Sequence, residues 1–169
     1  MKQIYITIFL IVFLSFKSIS QNLVSRKILS YELGKTGLVH NLYFDNKISN
    51  SSYGYRVGIG NNLSGEIFFG KFSIGVYKLM GTKNKFFELG IDIDRIVVET
   101  YSSDQIGLGN LVYPDYTTKI FSPNLNIGYR SYSKKGRLFR IGISPFYINK
   151  FLLGGYISFG LKDFKMKNK

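Results

Sequence analysis

Three carboxylates, Glu88, Asp92 and Asp94, fall at even spacing in the segment F-E-L-G-I-D-I-D (Phe87–Asp94). Residues two or four apart share one face of an extended chain. The acids therefore line one side and the bulky apolar residues the other. Two carboxylates held together can divide acid and base roles. Arg56, Arg130 and Arg140 hold the same phase in their own segments, Y-R-V-G-I-G, I-G-Y-R and F-R-I-G. The six charges admit an acid–base pair, a polar lumen that binds a ligand, or an interior ion-pair network. An isolated buried charge is very costly whereas a paired one is tolerated, so the network is the expected reading.

His40 is the only histidine, and cysteine is absent. Nucleophilic hydrolysis of the Ser–His–acid type needs a histidine beside a serine and an orienting carboxylate. His40 is followed by Asn41 and Leu42, with no serine two residues on. One imidazole without thiolates is a poor transition-metal site, and no cofactor or enzymatic activity is expected. The glycines of Gly54-x-x-x-Gly58-x-Gly60 lie inside a period-two segment with no helix to follow, which excludes a phosphate-binding loop.

The elements that must position these residues are strands. Alternation recurs over Tyr53–Gly60, Phe87–Asp94, Leu125–Arg130, Phe139–Ser144 and Ile157–Lys162. It predicts eight strands near 28–35, 37–48, 52–61, 68–80, 85–99, 117–132, 136–147 and 153–164. Most approach the ~9–11 residues of a tilted membrane-crossing strand. The polar turns Gly81–Lys85 and Ser133–Gly136 fall on one end of an up-and-down arrangement. The longest connection, Thr100–Tyr116, falls on the other, as in barrels with short periplasmic turns and longer outer loops. Tyr101, Tyr113 and Tyr116 make that loop the candidate contact for a surface ligand.

In the five clearest strands the bulky face carries no charge, and glycine is the commonest residue on the opposite face. Glycine weakens a water-facing strand, but small residues suit the inside of a narrow barrel wall. The apolar face is therefore expected to look outward into lipid. Tyr53, Tyr55, Tyr129 and Tyr132 would then form interfacial girdles.

The N-terminus carries Lys2, an apolar run from Ile4 to Phe16, and Ser18-Ile19-Ser20. This predicts an export signal over residues 1–20, cleaved after Ser20. The run is shorter than the ~20 residues that span a bilayer. Residues 21–169 form one expected domain. The formal charge of +13 is scattered through turns and strand ends, and with an export signal nucleic acid is not an expected partner.

The ordered motifs E-L-G-K-T-G (Glu32–Gly37), Y-R-V-G-I-G (Tyr55–Gly60), M-G-T-K-N-K-F-F-E-L-G (Met80–Gly90), I-G-Y-R-S-Y (Ile127–Tyr132), G-R-L-F-R-I-G-I-S-P-F (Gly136–Phe146) and G-Y-I-S-F-G (Gly155–Gly160) resemble a family of small outer-membrane β-barrel proteins of Bacteroidetes-type bacteria. The resemblance implies a fold and a location, with no shared activity. In such barrels the last strand usually ends on an aromatic residue in phase with its lipid-facing positions. Here Phe164 falls one residue out of register with Ile157, Phe159 and Leu161.

The resulting expectation is all-β: an eight-stranded antiparallel up-and-down transmembrane β-barrel in a Gram-negative outer membrane. Its interior is filled and does not conduct, and its role is structural or surface-binding. Its partners would be outer-membrane lipid and, during biogenesis, the barrel-insertion machinery. Two rivals stand beside it: a soluble periplasmic barrel carrying lipid in an apolar interior, and an outer-membrane lipid-modifying enzyme using His40.

Overall fold

A computed structural model describes residues 26–162 except 36–38, 50, 63–66, 83, 101–115 and 134. The expected signal at 1–20, Tyr101, Tyr113 and Phe164 lie outside the described residues. Eight antiparallel strands follow one another in chain order: β1 (Arg26–Gly34), β2 (Val39–Lys47), β3 (Tyr53–Asn61), β4 (Ile67–Thr82), β5 (Lys85–Thr100), β6 (Tyr116–Tyr132), β7 (Leu138–Ile148) and β8 (Lys150–Lys162). Each strand pairs with its sequence neighbours, and β1 closes on β8 from Ile28↔Lys162 to Gly34↔Tyr156. Closure gives every strand two neighbours, so no strand of the described wall is an open sheet edge; the first residues of β6, Tyr116–Pro123, pair with β5 alone.

The β7–β8 connection corrects the expected boundaries. Residues 148–152 read as a loop, but Ile148 already pairs with Lys150 around the single residue Asn149. Asn149 adopts a left-handed φ of 57°, which asparagine tolerates better than most residues. The shortest connection thus lies at the same end as the longest. Loop length alone does not distinguish the two ends strand by strand.

The β1–β2 reversal uses Gly34 (φ 104°) and Lys35 (φ 68°) in succession. It is anchored where the Lys35 amide donates to the Gly155 carbonyl at 2.8 Å. This leaves the Lys35 side chain fully buried.

The alternation is read out as inside and outside. Phe72, Ile74, Ile93, Ile141 and Phe159 lie on the outer wall and are each about half exposed. Arg56, Arg130 and Arg140 have no exposed surface. The interior is layered. At the end carrying the β4–β5 and β6–β7 turns, Ile28, Tyr77, Leu79, Phe86, Tyr132 and Leu138 pack as an apolar cluster. Next to it lies a charged layer, and Ser73, Asp94, Ser122, Asn124, Asn126 and Ser144 are buried alongside.

The glycines on the inner face make room for large rings. A Cβ at Gly54 would collide with the Tyr77 ring, and one at Gly58 with the Tyr43 ring. Both tyrosines are fully buried. The bare stripe on β3 is therefore a seat for aromatic side chains on β2 and β4.

Candidate functional site

Glu88 on β5 is the hub of the charged layer. Its Oε1 accepts from Arg56 Nη1 at 2.8 Å and Arg140 Nη2 at 2.7 Å. Its Oε2 accepts from Arg130 Nε at 2.5 Å and Arg140 Nε at 3.2 Å. Three guanidiniums thus converge on one carboxylate. Each then reaches a second acid.

Arg56 forks onto Asp92 through Nε and Nη2, both at 2.8 Å. Arg130 forks onto Asp45 at 3.1 and 2.8 Å, and Arg140 donates to Glu32 at 3.1 Å. Lys35 donates to Asp92 at 2.6 Å and lies 3.5 Å from Glu32. Bidentate, charge-assisted bonds of this kind are the strong ones. Among the described residues, four cations (Lys35, Arg56, Arg130, Arg140) meet four acids (Glu32, Asp45, Glu88, Asp92), so these charges balance.

Asp94 belongs to a side branch. It accepts a short hydrogen bond from Ser73 and lies 3.5 Å from Lys71 Nζ. Ser73 accepts from the Tyr43 hydroxyl at 3.2 Å, and Lys35 lies 3.4 Å from the same hydroxyl. Burial and Arg56 oppose the charge on Lys35, but Asp92 and Glu32 outweigh them and hold its ammonium above the usual lysine range.

Every arginine of the layer also stands over an interior tyrosine: Arg130 over Tyr77 at 4.2 Å, Arg140 over Tyr156 at 5.1 Å and Arg56 over Tyr43 at 5.7 Å. Desolvated cation–π contacts reinforce guanidiniums already held by carboxylates. The Tyr77 hydroxyl donates to Asp45 at 2.5 Å, and Tyr132 accepts from Arg130 at 3.0 Å.

The structure thus brings together Arg56, Glu88, Asp92, Arg130 and Arg140, and sets Asp94 to one side. Sequence reasoning missed Glu32, Lys35, Asp45 and Lys71, and the four interior tyrosines. The signal was present for Asp45 and Tyr43: in L-Y-F-D (Leu42–Asp45), Leu42 and Phe44 take the outer phase and leave both inside. Lys35 gave no such signal, because its direction depends on the left-handed turn.

Tyr132 is a correction. It was expected in a girdle, but its neighbour Arg130 and the β6 phase carry it inside, where its ring meets Phe86 edge-on at 5.8 Å. Tyr55 and Tyr129 are on the outer wall, with Tyr55 accepting from Asn46 at 2.7 Å. Tyr53 lies under the ammonium of Lys78 at 5.4 Å. Tyr116 opens β6 and is two-thirds exposed.

The carboxylates of the layer are already occupied by cationic donors and are closed to solvent. That suits cross-linking of the wall from within and leaves no carboxylate oxygen of Glu88 or Asp92 facing an incoming substrate. Beside the layer, the hydroxyls of Ser30, Ser144, Ser158 and Tyr156 and the amide of Asn126 are buried without a protein partner among the described residues. They share the β6–β7–β8–β1 side of the lumen, so that half is polar and lined with small residues.

His40 is on the outer wall. Its Nδ1 makes a short hydrogen bond with the Tyr31 hydroxyl, and the two rings stack with centroids 5.9 Å apart. The described lining of the surrounding groove (Tyr31, His40, Asn41, Leu42, Ile59, Gly60, Asn61) contains neither a serine nor a carboxylate.

No family model and no curated protein matches the chain. Solved structures do. The N-terminal β-barrel domain of Pseudomonas aeruginosa OprF aligns over 85% of this chain and 100% of its own, with TM-score 0.60 and 10% identity. Neisserial surface protein A (NspA) aligns over 80% of this chain and 92% of its own, with TM-score 0.53 and 12% identity. At such identities the likeness is one of fold: the eight-stranded closed barrel.

Proposed function

We propose that this chain is a small outer-membrane barrel with a closed, ion-paired interior and a structural or surface-binding role in a Gram-negative envelope. One observation carries the reading: the wall is apolar outside and charged inside. Ile93 and Phe159 are 53% and 54% exposed, while Arg56, Arg130 and Arg140 are 0% exposed. In water that distribution exposes a large apolar surface of the kind that marks a binding or membrane face. In lipid it is the stable one. Likeness in fold to the OprF barrel domain and to NspA supports the same location. The order of strand motifs supports a Bacteroidetes-type origin, and the N-terminal composition supports export and cleavage after Ser20.

A carrier with an apolar interior would need the opposite arrangement of faces, and the burial and ion pairing of Glu88 and Asp92 support a structural role for the lumen acids over catalysis. The narrow interior supports a role without conduction, since eight strands enclose space for side chains or one small ligand.

Fractionation tests the reading. The chain should stay with envelope membranes after osmotic shock and come out only with detergent. The extracted form should migrate differently on gels before and after boiling. Release by shock alone overturns the membrane location.

A further inference from the structure

The turn end of the barrel carries a groove on the outer wall, about 460 Å³ in volume, at the junction of β5, β6, β7 and β8. Lys85 and Arg137 line it, with Ser131 and Ser133 between them and Tyr129, Phe139 and Phe159 along its side. No acidic residue is among the described residues of its lining. A second groove of about 340 Å³ shares Arg137, Leu138 and Phe159 with the first, and continues along the wall past Leu161 and Leu29 to Tyr31. Together they form one track, cationic and hydroxyl-lined at the turn end and apolar beyond it.

The backbone fixes the cationic end. The Arg137 amide donates to Ser133 Oγ at 3.0 Å, and the Ser133 amide donates to the Arg137 carbonyl at 2.9 Å. The tight β6–β7 turn therefore presents Arg137 beside Lys85 at the start of β5. Phe139 and Phe159 pack with centroids 5.4 Å apart, giving the track a rigid aromatic floor. Neither Lys85 nor Arg137 takes part in the lumen ion pairs, and both are exposed.

The geometry points to a site for an anionic phospholipid of the inner leaflet. Its phosphate sits between Lys85 and Arg137 with the Ser131 and Ser133 hydroxyls, and an acyl chain follows Phe139, Phe159, Leu161 and Leu29. Charge complementarity selects an anionic headgroup, and the apolar continuation of the same track selects a lipid over a free anion. The groove lies at the end opposite the longest connection, the end that faces the periplasmic leaflet in such barrels. This inference rests on the proposed membrane location.

The test is folding of the full mature chain into vesicles of phosphatidylcholine with a minority of phosphatidylglycerol, followed by flotation and native mass spectrometry of the retained lipid. Phosphatidylglycerol should be enriched on the wild-type barrel. The double variant Lys85→Gln/Arg137→Gln should reduce the enrichment on the order of tenfold while keeping heat-dependent gel migration. If the barrel floats with vesicles but shows no enrichment, or the double variant keeps it, the lipid site falls and the membrane location stands. If inorganic phosphate at constant ionic strength abolishes the enrichment, the site is one for a free anion. If the wild type does not float with vesicles, the membrane location itself is wrong.

Discussion

Arg130 and Arg140 stand directly opposite each other on neighbouring strands β6 and β7, and both donate to the same carboxylate oxygen of Glu88. Like charges facing across a strand pair repel and destabilise. Here Glu88, from β5, sits against both and converts the repulsion into a three-strand clamp. The most sensitive group of the lumen is therefore the acid.

Glu88→Gln should destabilise the barrel more than removal of any single arginine, because it leaves three buried guanidiniums short of charge. Breaking a buried pair from one side costs about 3–5 kcal/mol. Arg130→Ala should fall in that range. Urea unfolding in micelles followed by circular dichroism measures both. An unchanged midpoint for Arg130→Ala would mean the clamp contributes nothing.

The seat on β3 gives a contrast between glycines. Gly54→Ala drives a methyl into the Tyr77 ring and strains the hydrogen bond from Tyr77 to Asp45, an overpacking cost of about 1–3 kcal/mol. Gly155→Ala meets nothing closer than 3.8 Å and should leave the midpoint nearly unchanged. Equal effects at the two positions would show that strand propensity, not the ring contact, governs the response.

The single-residue turn at Asn149 predicts a hierarchy of substitutions. Asn149→Gly should be tolerated, because its φ of 57° suits glycine. Asn149→Val should cost about 1–2 kcal/mol, since a branched side chain is unfavourable in the left-handed region. The refolding yield and unfolding midpoint of the two variants read this directly.

A cation on the outer wall tests the wall's surroundings. Ile91→Arg should disfavour folding into vesicles by about 2–4 kcal/mol if that position lies near the bilayer midplane. The comparison is the equilibrium between urea-unfolded and vesicle-inserted chain for wild type and variant. A negligible change would show that Ile91 does not lie near the midplane of a bilayer.

The strand repertoire was legible because period two needs only neighbouring residues. Ile91 and Ile93 define one face of β5, and Glu88, Asp92 and Asp94 the other, whatever the chain does elsewhere. The same alternation foretold a charged inner face and an apolar outer one. It misled where a boundary depended on a turn, as at Asn149, and where a tyrosine was assigned by type and not by phase, as at Tyr132.

What no local pattern carries is the partner list. Arg130 and Asp45 are 85 residues apart, and Arg140 and Glu32 are 108 apart. They meet across the lumen only because β1 closes on β8 in one register. Lys35 enters the same layer because two successive left-handed residues turn it inward. Side-chain direction along a strand follows from backbone geometry and is written in the sequence. Closure and stagger are collective properties of all eight strands, so which charges neutralise which was decided only when the barrel closed.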